Sequence, residues 1–400
     1  MTTRLTELGL RPVEVLTREP AETVLEEDCL PTSHAVALEP PPVAVRARLE
    51  LEDGTVFEGR SFGRRASTSG EVVFTTGMVG YPETLTDPSY FGQIIVCTYP
   101  LVGNYGVPGG ESDADGMEAR LESWKIHARG LVVADYSEAF SHWEASRSLA
   151  EWLDREGISA ITGVDTRALT KRLRERGSML GRLVVDGEPV DMFDPNHMTV
   201  GPLVSVKKPV LLGAGNDGGR VALVDCGCKH NIARSLLARG LEVLRVPWDF
   251  DLSSERLDGV MLSNGPGDPT TYAPTIAQVR GAIERGTPTM GVCLGNQLLA
   301  LAIGAKTFKL KYGHRGQNQP VIEVGTHRCA LTSQNHGFAV DSGTLPKGWS
   351  PWYENLNDGT NEGIRHSSGR FRSVQFHPEA NPGPVDTAHL FDEFVDSLDG

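Results

Sequence analysis

The chain has no long apolar run, few cysteines and no excess of basic residues, and each absence excludes a class of function. Its 400 residues contain no uninterrupted apolar stretch of the ~18 residues or more that a membrane-spanning helix needs. Lysine and arginine number 38 against 52 aspartate and glutamate, for a formal net charge of −14, whereas binding to a phosphate backbone requires a basic surface. We therefore expect neither a membrane span nor a nucleic-acid partner.

The six cysteines are too few and too scattered for a disulfide framework. Cys226 and Cys228 form a C-x-C pair without a second pair of Cys or His at zinc-like spacing, so we expect them to be packing residues near a strand end. The first 43 residues carry three arginines against eight acidic residues and have no apolar core, unlike a secretory signal or a transit peptide. These features predict a cytoplasmic chain without a metal in its active site.

Changes in residue pattern divide the chain into four predicted segments. Residues 1–44 end in a proline-rich stretch and are predicted to be a flexible extension. Residues 45–190 mix strand and helix patterns and predict a small mixed α/β domain. Residues 191–219 lose this periodicity and predict a linker. Residues 220–400 form the predicted second domain.

Local signals place several elements in the first domain. Alternating apolar and polar residues around residues 53–54 predict a β-hairpin, and GEVVFTTGM and GQIIVCTYP predict two further strands. A possible capping box from Ser141 to Glu144 predicts the start of a helix over the apolar residues at 149–153. A second helix is predicted directly after Asp165.

From residue 220 onward, short apolar strands alternate with helices. The predicted order is strand VALVDCG, helix NIARSLLARG, strands EVLRVPW and GVMLS, helix TIAQVRGAIERG, strand PTMGV and helix NQLLALA. This alternation predicts an α/β fold with a mainly parallel sheet, whose sites lie at the C-terminal ends of the strands.

The stretch PTMGVCLGNQLLALAI contains a Gly-x-Cys-x-Gly pattern between a predicted strand and a predicted helix. Gly291 and Gly295 flank Cys293, and small neighbours suit the tight turn of a nucleophile elbow. The N-terminus of the following helix favours a thiolate at Cys293. A buried structural cysteine at a strand end has the same local pattern, so this motif alone leaves both interpretations open.

Two further loops are predicted to meet the elbow at the same sheet edge. In SNGPGDP, Gly265 and Gly267 allow backbone N–H groups to approach a ligand, although such a loop alone is more often an ordinary turn. VQFHPEA contains His377 and Glu379, which project to the same side of an extended segment, so the carboxylate can orient the imidazole. An isolated His-Pro-Glu is more often a polar loop. The combination of all three loops predicts a Cys-His-Glu hydrolase or transferase.

These motifs resemble those of the class I glutamine amidotransferases, in which GxCLGxQ and HPE mark the triad. A longer set of segments between about residues 46 and 398 is similar to the small, glutamine-hydrolysing subunits of carbamoyl phosphate synthetases: GEVVFTTGMVGYPETLTDPSYFGQIIVCTYPLVGNYG, DTRALTKRL, DCGCKHNI, LSNGPGDP, KLKYGHRGQNQPV, SQNHGFAV and FHPEANPGP. GYPETLTDPSY is the most specific of these because other glutamine amidotransferases lack that N-terminal domain. The resemblance implies a C-terminal class I glutamine amidotransferase-like domain preceded by a smaller mixed α/β domain.

The resemblance also implies roles at the matching positions. Cys293 would be the nucleophile, His377 the general acid and base, and Glu379 the carboxylate that orients the imidazole. Backbone N–H groups of Leu294 and Gly265 would form the oxyanion hole. Glutamine would be bound by residues of both domains, namely Ser89 from the first and Gly267, Gln297, Asn335, Gly337 and Phe338 from the second.

Three departures from the family pattern are visible. Asn296 stands where many members have histidine, which removes a second imidazole near the nucleophile. Thr75 replaces a more usual asparagine, and residues 1–44 have no counterpart. None of these positions belongs to the implied triad.

The resemblance further implies that the chain acts without a cofactor of its own. Its partner would be the large synthetase subunit, which would bind ATP, magnesium and bicarbonate and receive the ammonia; the chain itself contains no P-loop pattern. Two alternatives remain. A stand-alone γ-glutamyl hydrolase, or an amidotransferase of another pathway, is disfavoured by the N-terminal domain, and a non-catalytic scaffold is disfavoured by the intact Cys293, His377 and Glu379.

Overall fold

In the part of the chain that the structure describes, a closed barrel and two small two-stranded sheets come first, and a ten-stranded sheet follows. The computed structural model describes residues 45–398, so the predicted extension of residues 1–44 lies outside the described part. Residues 45–398 belong to one compact unit. The predicted boundaries at residues 190 and 219 stay a prediction.

The first half consists of eleven strands and three helices. They are β1 (Arg46–Leu51), β2 (Val56–Gly63), β3 (Thr68–Thr75), α1 (Tyr81–Thr86), β4 (Gln93–Cys97), β5 (Leu101–Val102), β6 (Val107–Pro108), β7 (Gly130–Val132), β8 (Asp135–Tyr136), β9 (Ala145–Arg147), α2 (Leu149–Glu156), β10 (Ser159–Thr162), α3 (Thr166–Arg176) and β11 (Met179–Val185). Seven of these strands close into a barrel in the order β1-β11-β3-β4-β7-β10-β2. A short 3₁₀ helix, Pro88–Tyr90, leads from α1 towards β4.

Alternation of buried and exposed residues explains the barrel. In β1, every second residue is buried, as expected for a strand with one face towards a core. The buried side chains include Leu49 and Ile94 and form one cluster with Leu169 and Leu173 of α3. The predicted hairpin is confirmed as the antiparallel pair β1–β2, and the predicted helix after Asp165 is confirmed as α3, whose first turn is capped by the Asp165 side chain.

The predicted capping box at Ser141 and Glu144 is wrong. Helix α2 begins seven residues later and is capped by Ser148, whose hydroxyl accepts a hydrogen bond from the N–H of Glu151 at 3.1 Å. The sequence from Ser148 has its own Ser-x-x-Glu pattern, and only this one directly precedes the amphipathic run.

The second half consists of ten strands and five helices. They are α4 (Gly201–Val204), β12 (Val210–Leu212), β13 (Arg220–Asp225), α5 (His230–Leu237), β14 (Glu242–Pro247), β15 (Gly259–Leu262), α6 (Ala273–Glu284), β16 (Thr289–Val292), α7 (Leu294–Ala302), β17 (Lys306–Glu323), β18 (Cys329–Asp341), β19 (Trp349–Asn355), β20 (Asn361–His366), β21 (Phe371–Val374) and α8 (His389–Asp396). All ten strands form one sheet in the order β12-β14-β13-β15-β16-β21-β20-β19-β17-β18. Strand β12 and helix α4 lie within residues 191–219, the predicted linker.

The α/β fold class is confirmed, with one refinement to the sheet. Strands β14, β13, β15, β16 and β21 are mutually parallel, whereas β12 and the strands from β20 to β18 pair in the antiparallel sense. Helices α5 and α8 pack on one face of the parallel strands, and α6 and α7 pack on the other. This three-layer arrangement places the loops that follow β13, β15 and β16 at one edge.

Two remaining sequence predictions concern cysteines and membranes. Cys226 and Cys228 are fully buried and unpaired in the core at the end of β13, which confirms their role in packing. Among residues 45–398, no helix combines the length and the apolar character needed to cross a bilayer.

Candidate active site

Cys293 occupies a strained turn between β16 and α7. Its φ and ψ are 55° and −104°, a conformation that residues with a side chain rarely adopt. The two flanking glycines make the turn possible, because a Cβ at Gly291 would lie 2.5 Å from the backbone of Gly295 and a Cβ at Gly295 would lie 2.4 Å from the carbonyl oxygen of Leu262. The turn therefore has the predicted form of a nucleophile elbow, and strain of this kind is concentrated at functional sites.

His377 and Glu379 form a short, buried contact near this elbow. The imidazole Nδ1 lies 2.6 Å from Oε1 of Glu379, and neither side chain is exposed by more than 2%. The predicted contact is present, but the predicted reason for it is wrong, because the two residues do not belong to an extended segment. The N–H of His377 pairs with the carbonyl of Ser333, and the chain then turns so that Ala380 N–H donates to the His377 carbonyl.

A buried lysine holds the carboxylate of Glu379 in its ionised form. Nζ of Lys229 lies 3.2 Å from Oε1 of Glu379, with side-chain exposures of 4% and 0%. Burial alone would raise the pKa of Glu379, but the charges of Lys229 and His377 lower it to about 2. Because an ionised carboxylate can only accept hydrogen bonds, Nδ1 of His377 must carry a proton.

The free side of the imidazole faces the thiol. Nε2 of His377 is buried and has no hydrogen-bond partner among residues 45–398. Burial lowers the pKa of His377, but the negative charges of Glu379 and Cys293 outweigh this effect and raise the pKa to about 10. The arrangement thus places the free nitrogen of a basic imidazole where it can accept the proton of the Cys293 thiol.

A polar cavity, here called the elbow cavity, opens beside the thiol. It is lined by eight of the eleven site residues predicted from sequence, namely Ser89, Gly265, Gly267, Cys293, Gln297, Asn335, Gly337 and Phe338. His377 lies on a second cavity, the imidazole cavity, which shares Asn335 with the first. Glu379 lies behind the imidazole, and Leu294 contributes its backbone at the start of α7.

Two backbone N–H groups near the elbow are available to a ligand. Leu294 is the first residue of α7, so its N–H has no partner within the helix. Gly265 lies in the loop after β15. A Cβ added to Gly265 would lie 2.1 Å from the carbonyl oxygen of Cys226. Only glycine allows this loop to lie so close to the backbone of Cys226, which explains why the SNGPGDP motif has glycine at this position.

A buried hydrogen-bond network brings Ser89 from the first half of the chain to the elbow cavity. Asn264 donates to the Ser89 hydroxyl at 2.8 Å and to Asp87 Oδ1 at 3.2 Å, and Asn335 donates to Asp87 Oδ2 at 2.9 Å. Asp87 also caps the short helix that carries Ser89. Since the Ser89 hydroxyl accepts from Asn264, its own proton remains available to a ligand.

Asn296 and Gln297 occupy successive positions of α7, and both donate to Oε1 of Gln375 at 3.1 Å, but their other partners differ. Gln297 donates to the carbonyl of Phe338 at 3.0 Å and lines the elbow cavity. Asn296 is fully buried, donates to Gln375 at 3.1 Å and accepts from Ser373 at 2.8 Å. The residue that departs from the family pattern is therefore bonded within the core and makes no hydrogen bond to the thiol.

Sequence reasoning missed three charged residues on the elbow cavity and the lysine behind it. Glu71 of β3 pairs with Lys309 of β17 at 2.7 Å, and Arg315 of β17 is buried with its Nε unpartnered within the described residues. No local motif indicated them, because their proximity depends on how β17 packs against the barrel. Lys229 directly follows the C-x-C pair, and the fragment DCGCKHN was the only available signal.

One further cluster contains groups of the kind that bind metals. Ligand atoms of His314, His336 and Glu362 lie within 4.8 Å of one another. The amide of Asn355 donates to Glu362 Oε1 at 3.1 Å, and Nε2 of His314 contacts Asp358 at 2.8 Å. Protein groups therefore already provide hydrogen bonds to this cluster, whose His336 is the neighbour of Asn335 on β18.

Comparison with known proteins gives matches over both halves. The family model of the carbamoyl-phosphate synthase small chain, CPSase domain, matches residues 49–183, and that of the class I glutamine amidotransferases matches residues 222–397. The carbamoyl phosphate synthase arginine-specific small chain of Aspergillus fumigatus is 50% identical over 365 residues, which cover 89% of this chain and 81% of that protein. The chain of the same name from Aspergillus niger is 48% identical over 390 residues, or 95% and 86% of the two chains.

A larger relative contains the same region as a small part. The multifunctional protein CAD of Squalus acanthias is 52% identical over 356 residues, which cover 88% of this chain but 16% of that protein. The matches therefore span both the barrel and the ten-stranded sheet. The chain belongs to the family of carbamoyl phosphate synthase small chains, whose second half is a class I glutamine amidotransferase.

Proposed function

We propose that this chain hydrolyses L-glutamine through a γ-glutamyl thioester on Cys293 and supplies the ammonia to a separate ATP-dependent chain. The observation that carries the proposal is the 2.6 Å contact between His377 and Glu379, buried beside a cysteine in a nucleophile elbow. Family membership supports the same reaction.

The first half of the reaction forms the thioester. Glu379 keeps a proton on Nδ1 of His377, so Nε2 takes the proton of the Cys293 thiol and the thiolate attacks the carboxamide carbon. The carbonyl oxygen gains negative charge, which N–H groups of Leu294 and Gly265 stabilise. His377 then returns the proton to the departing nitrogen, and ammonia leaves the glutamyl thioester behind.

The second half releases glutamate. With ammonia gone, Nε2 of His377 is again free to accept a proton, now from a water molecule that attacks the thioester carbon. The carbon–sulfur bond breaks, glutamate leaves and the thiol regains its proton. The chain's own groups provide every proton transfer in this sequence, and we place ATP, magnesium and bicarbonate on the partner chain.

Substrate binding would use both halves of the chain. The Ser89 hydroxyl has a free proton to donate to a carboxylate, and Gln297 presents its amide to the elbow cavity. Backbone groups of Gly267, Gly337 and Phe338 line the same cavity and supply further donors and acceptors. A zwitterionic amino acid needs both kinds of partner.

The imidazole cavity provides an exit for ammonia on the other side of Asn335. It is lined by His377, Lys229, Glu83, Gln317, Ser333 and Pro382, among others. His377 lines this cavity as well as facing the thiol, and we therefore place the release of the nitrogen that it protonates here. A partner chain that covers the outer opening would receive ammonia before it reaches solvent.

The decisive experiment measures ammonia release from glutamine by the purified chain and by Cys293→Ala, with and without the large synthetase subunit of the same organism. We expect release that requires Cys293 and increases when the partner and its ATP substrates are present. Cys329→Ser serves as the matched control, because this thiol is exposed and lines neither the elbow cavity nor the imidazole cavity.

Two outcomes would contradict the proposal. Strong ammonia release that does not change when the partner is added would indicate a stand-alone γ-glutamyl hydrolase. No release under any condition, together with failure of Cys293 to react with a glutamine-like alkylating agent, would indicate a non-catalytic scaffold.

A further inference from the structure

Helix α3 carries a concentration of charge opposite in sign to that of the whole chain. Its sequence, TRALTKRLRER, has five basic residues and one glutamate, whereas the formal net charge of the protein is −14. Leu169 and Leu173 bury the other face of the helix against the barrel core. The basic residues are therefore presented at the surface.

Three of these cations lie along one groove. Arg167, Lys171 and Arg174 follow one another at spacings of four and three residues, which places them on the same face of a helix. With Thr76, Thr98, Thr170 and Glu175 they line a cavity, open to solvent, of about 660 Å³. We call this surface the basic groove.

The positive charge of the basic groove is largely uncompensated. Lys171 lies 4.0 Å from Glu175, and both side chains are more than half exposed, so this pair contributes little. Within residues 45–398, neither Arg167 nor Arg174 has a carboxylate within 4.0 Å. Arg172 of the same helix does have one, since it lies 2.6 Å from Asp53.

A short loop links the basic groove to a residue that lines the imidazole cavity. Thr76 lines the groove, and its N–H donates to the carbonyl of Arg315 at 3.1 Å. The next residues, Met78 and Val79, are 66% and 60% exposed. The carbonyl of Val79 accepts from Gln317, which lines the imidazole cavity with His377. One loop, residues 76–79, thus connects the groove, two exposed apolar side chains and the ammonia exit.

We propose that the basic groove, with Met78 and Val79, is the docking surface for a carboxylate-rich segment of the chain that consumes the ammonia. The inference rests on the proposed function, because it takes the imidazole cavity as the exit for ammonia. Exposed apolar residues beside unpaired cations match an interface with an apolar centre and a charged rim. The cavity is also far larger than the ~30 Å³ that one water molecule occupies, so a single small anion would not fill it.

The test is a charge reversal of the groove in the full chain, Arg167→Glu, Lys171→Glu and Arg174→Glu together. We expect the triple variant to associate with the large synthetase chain at least tenfold more slowly than the wild type at low salt. The difference between the two association rates should shrink at higher salt, because salt screens the charges. Arg64→Glu with Arg65→Glu is the matched control, because these two arginines are exposed on the loop between β2 and β3. The control should associate at the wild-type rate.

Two further variants separate docking from folding and from apolar contact. Lys171→Glu alone changes a side chain that is 78% exposed and should slow association without changing thermal stability. Met78→Ser should increase the rate at which the large synthetase chain dissociates, and the size of this increase should not depend on salt concentration. In all groove variants, glutamine-dependent synthesis of carbamoyl phosphate should fall, whereas glutamine hydrolysis by the isolated chain should be unchanged.

The outcomes distinguish this inference from the function on which it rests. If the triple variant associated at the wild-type rate at low salt, the proposed docking surface would be wrong, but the proposed glutaminase function would stand. Binding of inorganic phosphate or ATP to the groove, lost in the triple variant while association is unchanged, would assign the groove to a free anion instead. Absence of glutamine hydrolysis in the wild-type chain would contradict the proposed function itself.

Discussion

At the residue scale, the backbone of α7 approaches β15 so closely at Gly295 that no side chain fits. A Cβ there would lie 2.4 Å from the Leu262 carbonyl oxygen, and neither backbone can move without shifting the elbow. We expect Gly295→Ala to lower the free energy of unfolding by about 1–3 kcal/mol and to abolish glutamine hydrolysis. Denaturant unfolding and an ammonia assay would measure both effects.

The control for this prediction is another helical glycine. At Gly281 in α6, the nearest atom to an added Cβ is the flexible end of Arg285, at 3.1 Å. Gly281→Ala should therefore leave hydrolysis unchanged and raise the free energy of unfolding by up to about 1 kcal/mol. Equal behaviour of the two variants would show that the close approach at Gly295 has no consequence.

Glu379→Gln keeps the shape of the side chain and removes the charge that holds the imidazole. We expect kcat for glutamine hydrolysis to fall by about 100-fold or more, because an amide can also present a donor to Nδ1 and favour the wrong tautomer. Glu284→Gln, at an exposed position of α6, is the control. A kcat within twofold of wild type would exclude the orienting role of Glu379.

The same carboxylate predicts how stability depends on pH. The folded pKa of Glu379, about 2, lies below the ordinary glutamate value of 4.5, so the contribution of its charge to stability is fully present above pH 4.5 and is lost as the pH falls towards 2. Glu379→Gln should thus unfold with a shallower pH dependence in that window. Urea unfolding at a series of pH values would test this, and parallel curves for the two proteins would contradict it.

Individual residues of the site were predictable to different degrees. Gly291, Cys293 and Gly295 follow from the chemistry of a tight turn, which a local sequence can specify. Ser89 and Gln297 were found only through the family resemblance, since a serine in a turn and a glutamine on a helix carry no local signal. Lys229 was missed because its significance depends on Glu379, which lies 150 residues later in the chain.

At the scale of elements, the start of α2 gives a clean comparison between two serines. Ser148 caps the helix through its hydroxyl, whereas Ser141 makes no such bond and lies in a loop. Ser148→Ala should lower the free energy of unfolding by about 1 kcal/mol, and Ser141→Ala should leave it unchanged. Chemical denaturation of the two variants would decide, and the reverse order would restore the capping box predicted from sequence.

The order and type of the elements were largely predictable from periodicity. The strands and helices from β13 to α7 occur in the predicted sequence, because buried parallel strands and amphipathic helices have distinct patterns. The antiparallel strands from β17 to β20 were not predicted. Strand β17 runs for 18 residues with bulges, and its mixture of glycine, lysine and glutamine has no regular alternation.

At the scale of the whole molecule, the elbow cavity requires both halves of the chain. Ser89 reaches it from the barrel half through the hydrogen bonds of Asp87 and Asn264. We expect Ser89→Ala to raise the KM for glutamine about tenfold, which corresponds to the loss of one hydrogen bond to a charged group. The rate at which Cys293 reacts with a small alkylating agent should not change.

The control for Ser89 is Ser254→Ala, at an exposed position between β14 and β15. Steady-state kinetics with glutamine would show a rise in KM for Ser89→Ala and none for Ser254→Ala. If neither variant differed from wild type, substrate binding would be confined to the second half. The packing of the halves against each other was beyond sequence reasoning, since contacts such as Glu71 with Lys309 join residues 238 positions apart.

Asn335 lines both the elbow cavity, which contains the thiol, and the imidazole cavity, and this position bears on the order in which products leave. While the glutamyl group is attached to Cys293, it fills the elbow cavity, so ammonia departs first and on the other side. Glutamate should then compete with glutamine for the free enzyme, whereas ammonia should slow turnover without competing for the same site. The position of Asn335 would thus make ammonia leave before glutamate.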